Sequence, residues 1–89
     1  MSYSPVKSSF FVVGEKGLPV IEKSQQGNYA LVFLKQTDAN RYCEQMCQLR
    51  QEPQQNYKIS TLPLHIIKRL LSHARVQVCV IENWDKMIA

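Results

Sequence analysis

Residues 10–13, Phe-Phe-Val-Val, are apolar at every position. Successive side chains of a strand point to opposite faces, so a strand built on this run has no face to leave in water. It needs cover on both sides. The run stops at Gly14-Glu15-Lys16-Gly17, which puts two residues tolerant of positive φ into a four-residue hairpin loop. The return strand is expected over residues 18–22. Pro19 has no N–H to donate, which assigns that strand to a sheet edge. Residues 23–28 are polar, contain Gly27 and read as a second turn; residues 29–34 form a third strand, again nearly all apolar.

From there the apolar spacing becomes helical. Thr37 is expected to cap a helix whose first turn carries Asp38 at the positive end of the dipole, and Pro53 marks its end. At 100° per residue Ala39, Cys43, Met46 and the stem of Arg50 share a stripe, with Tyr42 and Leu49 on its flanks; Cys43 falls at the centre and Cys47 at the edge. A short strand over residues 57–60 follows. Pro63 then suits the first turn of a second helix, whose stripe is Ile67, Leu70, Leu71 and Ala74. Residues 76–81 form a last strand, with Val76, Val78 and Val80 alternating against Gln77, Cys79 and Ile81.

The fold class is therefore α/β (α+β), a small mixed β-sheet with two helices in the order β-β-β-α-β-α-β. The two helices are expected as crossovers over one face of the sheet. With 89 residues, the chain is too short to divide into two cores. Residues 1–89 read as a single domain, with 1–8 and 83–89 as tails.

The stretches FFVVGEKGLPV, VFLKQTDANRYCEQM and KISTLPLHIIKRLL, in this order, resemble a group of small bacterial and plastid modules. The chain is similar, over residues 10–82, to the N-terminal domain of SseB (enhanced serine sensitivity) and to the related Tic-complex import factors. Those chains run strand, acidic or glycine turn, strand, and then a Val-Phe entry into a helix; here Leu34-Lys35-Gln36 follows Val-Phe. The resemblance implies a binding or scaffold unit and brings no catalytic residues with it.

The residues themselves agree with a non-enzymatic reading. Cys43 and Cys47 are one helical turn apart, a spacing at which two thiolates can share a metal. A structural zinc site needs four ligands, and Cys79, His65 and His73 do not cluster with this pair, so packing as small hydrophobes is expected, with no metal and no cofactor. The seven acidic residues are scattered over turns and polar faces, and no spacing pairs two of them in a cleft. Gly14 to Gly17 precedes a strand rather than a helix and offers no phosphate cradle.

Two features remain as binding candidates. The outer face of the second helix carries His65, Lys68 and Arg69, with Arg75 just beyond, and residues 53–81 contain no Asp or Glu. This face suits an anion or a nucleic-acid backbone, or is simply solvated. Near the C-terminus, Trp84, Met87 and Ile88 have the spacing of one short helical face, which folds onto the domain's own core or meets a second chain. No run of about 18 apolar residues is present, so no membrane span is expected. The first residues lack the apolar run of a signal peptide. Three cysteines, an odd number, and a net charge of +4 point to a cytoplasmic protein with a mild preference for anionic partners. The reading is a cytoplasmic adaptor or protein-binding module, self-associating or with a protein partner; nucleic-acid or anion binding through the second helix is the alternative.

Overall fold

The computed structural model describes residues 7–88, with side chains described through Lys86. Five strands and two main helices appear in the expected order: β1 (Ser8–Val13), β2 (Glu22–Ser24), β3 (Gly27–Phe33), α1 (Gln36–Arg50), β4 (Lys58–Pro63), α2 (Leu64–His73) and β5 (Gln77–Ile81). A 3-10 turn (Gln54–Asn56) precedes β4, and a short helix α3 (Trp84–Ile88) closes the described chain. β1 lies antiparallel to β4 in a continuous register from Ser8 opposite Pro63 to Val13 opposite Lys58. β3 is the hub. It pairs antiparallel with β2 and, at Phe10–Phe33, with β1; on its other side it pairs parallel with β5, from Tyr29–Gln77 to Phe33–Ile81.

The first hairpin departs from expectation. Residues 18–21 do not join β2; they touch β1 through the Val13–Pro19 bridge and two hydrogen bonds, Gly14 N–H to Leu18 O (3.0 Å) and Val20 N–H to Val12 O (2.9 Å). These bonds flank Pro19, which sits opposite Val13 at a position that donates nothing, so its missing N–H has no cost there. The second turn is tighter than the polar stretch suggests. Gly27 adopts φ +120°, and Ser24 Oγ both donates to Gly27 O (2.8 Å) and accepts from Gln26 N–H (3.2 Å), so the strands run on until only Gln25 and Gln26 turn the chain.

The two helices cover opposite faces, not one. α1 packs Ala39, Tyr42, Cys43, Met46 and Cys47 on Val12, Phe33 and Ile81. α2 packs Ile67 and Leu71 on Phe11, Val13, Ala30 and Val32 across the other face. This is the arrangement that strands without a polar face require.

Local capping also differs from the sequence reading. Thr37 makes no cap: α1 begins two residues earlier, with Lys35 at its N-cap and no side-chain hydrogen bond. Asp38 is buried and accepts the Trp84 N–H at 3.1 Å, tying α3 to the start of α1. Pro53 does not set the end of α1. Gln51 turns left-handed (φ 57°), with Gln51 N–H to Gln48 O and Glu52 N–H to Cys47 O closing the last turn. α2 ends the same way with Arg75 at φ 60°, and Pro63 is its N-cap rather than its first residue.

Trp84 is 8% exposed, with its ring 5.8 Å from Phe33 and 6.0 Å from Tyr42 between centroids. Of the two alternatives for Trp84, its own core or a second chain, the ring takes the first and completes the α1-side core, which leaves little of it for an interface. Met87 and Ile88 lie in α3, with side chains outside the described residues, as are residues 1–6 of the expected N-terminal tail. Leu49, expected on the flank of the α1 stripe, points outward at 79% exposure. Cys47 is no edge residue; at 3% it is less exposed than Cys43 at 9%.

Two stability outcomes follow. In urea titrations, Cys47→Ser is expected to cost at least as much as Cys43→Ser, each about 1–3 kcal/mol for a hydroxyl placed in an apolar interior. Trp84→Ala is expected to lower stability by about 3–5 kcal/mol, read as a fall in both the urea midpoint and the melting temperature.

Candidate functional site

α2 has ten residues and is therefore about 15 Å long. It crosses a five-stranded sheet whose strands lie about 4.8 Å apart, and it leaves part of its face open. The open part is an apolar groove of ≈ 570 Å³ beside α2. Phe11, Val13 and Leu62 form the floor of the apolar groove. Ile67, Leu70 and Leu71 make one wall, and Leu18, Pro19 and Ile21 make the other.

Leu70 and Ala74 belong to the helical stripe read from the sequence, yet both are exposed. The stripe is wider than the core needs, and its surplus lines the groove. Leu18 is 66% and Leu70 53% exposed, so two large apolar side chains face solvent across one groove. Among the described residues lining it, the only polar side chain is the Ser60 hydroxyl, and none is ionisable. The sequence reading took residues 18–22 as strand and the α2 stripe as core, and so it missed this site. The available signal was a leucine and a proline placed directly after a turn, opposite a stripe with one leucine too many.

The cationic candidates fall into two groups. Lys68 and Arg75, with Ser72 between them, line an open cleft of ≈ 520 Å³ along β5. His65 and Arg69 are exposed on α2 but do not line that cleft. The structure thus brings together two of the four residues singled out from the sequence.

Ionisable groups elsewhere hold elements together. The buried Tyr42 hydroxyl donates to Glu22 Oε1 at 2.6 Å, and Arg50 Nη2 lies 3.1 Å from the same oxygen, which fastens β2 to α1. Burial first, and the Glu22 carboxylate second, push the Tyr42 hydroxyl far above the ordinary tyrosine range. Tyr57 donates to Glu52, which raises its hydroxyl as well. Burial also pushes the Cys43 thiol up, to about 11, with the neighbouring Cys47 adding to the shift. A thiol held protonated is a poor nucleophile and a poor metal ligand. Among the described residues, no three His, Cys, Asp or Glu side chains gather as a metal site.

No family model matches the sequence, and no curated protein matches it. Solved structures do resemble the fold. Tic22 from Plasmodium falciparum superimposes with a TM-score of 0.75 at 15% identity, over 93% of this chain and 46% of that one. Anabaena Tic22, a protein described as acting in protein transport, gives 0.63 at 13% identity, over 85% of this chain and 42% of that one. The chain spans about half the length of these neighbours, and at such identities the likeness establishes the fold alone. The Tic part of the resemblance seen in the sequence is thus matched at the level of the fold.

Two outcomes check the site. A fluorescent apolar dye is expected to bind the wild type, and Leu70→Asp to remove most of that signal while leaving the circular dichroism unchanged. The Cys43 thiol, ordinarily near 9.0, reaches about 11 in the fold, so its protonated state stabilises the chain fully below pH 9. That contribution is lost as pH rises toward 11, and the fall in urea midpoint over this range should be smaller in Cys43→Ala.

Proposed function

We propose that this chain is a non-enzymatic protein-binding module of the adaptor type, which takes an apolar segment of a partner protein into the groove beside α2. The observation that carries this reading is the groove itself: ≈ 570 Å³, without an ionisable side chain on its walls, and with Leu18 and Leu70 exposed on its two sides. Removing apolar surface from water contributes about 25 cal/mol per Å², so a segment seated there has a driving force that salt does not screen. The fold's likeness to Anabaena Tic22, described as a protein-transport protein, fits a role in contacting other polypeptides. No described helix is long and apolar enough to cross a membrane.

A second reading rests on the Lys68–Ser72–Arg75 cleft, which lies in a stretch without Asp or Glu and suits a phosphate backbone or another anion.

Site-specific photo-crosslinking separates the two. A photoreactive residue at position 70 is expected to capture protein from the native cell at low and at moderate salt alike, and one at position 49, on the exposed far side of α1, to capture far less. Equal capture at both positions would remove the groove from the proposal. Binding to any duplex or single strand is expected to be feeble and to vanish near physiological salt. If nucleic acid is the ligand instead, its affinity should fall with a log–log salt slope of about −2 to −3, and Lys68→Glu with Arg75→Glu should abolish it.

A further inference from the structure

Among the described residues β4 pairs only with β1, β5 only with β3, and the three-residue β2, which carries Glu22 and Lys23, only with β3, so each leaves one side without a strand partner. Exposed edges invite further strands, and folded chains blunt them with charge, proline or distortion. The β4 edge is blunted: it starts at the exposed Lys58 and ends at Pro63, which has no N–H. The β5 edge is not. Gln77–Ile81 contains no proline and no charge, three of its five residues are β-branched, and Val78 and Val80 remain only half-buried. An edge of this composition is built to be covered.

We propose that β5 pairs with β5 of a second copy of this chain, antiparallel about a two-fold axis through Cys79, joining two five-stranded sheets into one. An axis perpendicular to the sheet requires antiparallel strands and places the same patch on both sides. Cys79 is the middle residue of β5, so the five residues pair in full: Cys79 opposite Cys79, and Gln77 opposite Ile81. Continuing the register by one residue sets Glu82 opposite Val76. Alternation along β5 puts Glu82 on the side of the sheet where Val78 packs beside α2, the side of the cationic cleft. Each copy's exposed Glu82 then enters the other's Lys68–Arg75 cleft, which has no carboxylate of its own among its lining residues. The charges are complementary, and the symmetry supplies the contact twice. Without Glu82 the same axis would bring two cationic clefts together. The acid at position 82 is what makes the edge compatible with itself.

This surface adjoins the apolar groove at Val76, which lines both the groove and the cationic cleft, but it does not include Leu18 or Leu70. Cross-strand partners have Cβ atoms about 4.5–5.5 Å apart, so the two Cys79 thiols of a dimer lie within reach of a short bis-maleimide. Cys79 is exposed, whereas Cys43 and Cys47 are buried. Sedimentation of the full chain over a range of concentrations is expected to show a reversible monomer–dimer equilibrium. The crosslinker should trap wild type as a covalent dimer. Cys79→Ser should lose the crosslink but keep the sedimenting dimer. Cys79→Lys, which sets two ammonium groups face to face on the axis, should sediment as monomer, and so should Glu82→Lys, which lies outside the strand and leaves β5 intact. Leu70→Asp should remain dimeric. The proposal is overturned if wild type stays monomeric at every concentration, if the folded Glu82→Lys chain still dimerises like wild type, or if Leu70→Asp alone abolishes the dimer. The last result would make the groove the self-association surface.

Discussion

Val32 and Phe33 are consecutive residues of β3, point to opposite faces of the sheet, and are both completely inaccessible to solvent. Everything else in the fold answers to that pair. A strand buried on both faces needs a layer on each, and a chain of 89 residues supplies one helix for each layer. α1, with 15 residues, fills its side with the help of Trp84 from α3. α2, with ten, does not fill its own. The groove is what remains when the shorter helix must cover the same sheet as the longer one.

Much of this was legible in the residues. Apolar runs at 10–13 and 29–34 demanded burial on both faces, and helical spacing located α1 and α2 to within a few residues. The placement of both helices on one face was an error that the unbroken strand runs already spoke against. What escaped was decided by tertiary contacts. Thr37 is a good capping residue by type, yet nothing in its own neighbourhood announces that Asp38 will be buried beneath Trp84, 46 positions away in the chain. Nor does local sequence foretell that Gln51 and Arg75, rather than glycines, take left-handed backbone at the two helix ends, a conformation that costs such residues about 1–2 kcal/mol and is held by the surrounding bonds.

The candidate site was half legible for the same reason. Periodicity found the α2 stripe correctly but could not divide it, because Ile67 and Leu71 enter the core while Leu70 and Ala74 line a groove. Charge pattern found Lys68 and Arg75, which the fold brings to one cleft, and also His65 and Arg69, which it leaves outside. A helical wheel gives direction around an axis; it does not say how far the neighbouring layer extends.

The Glu22 carboxylate also bears on the groove. It sits on β2, three residues past Pro19, yet its partners Tyr42 and Arg50 belong to α1, the helix on the far face of the sheet. The groove wall formed by residues 18–21 is thus held at one end by backbone bonds to β1 and near the other by a charge-assisted clamp through the sheet. A wall held at both ends loses little conformational entropy when something docks against it, so the ordering cost of binding falls on the guest. Rigid guests, or guests already extended, are the ones such a receptor favours.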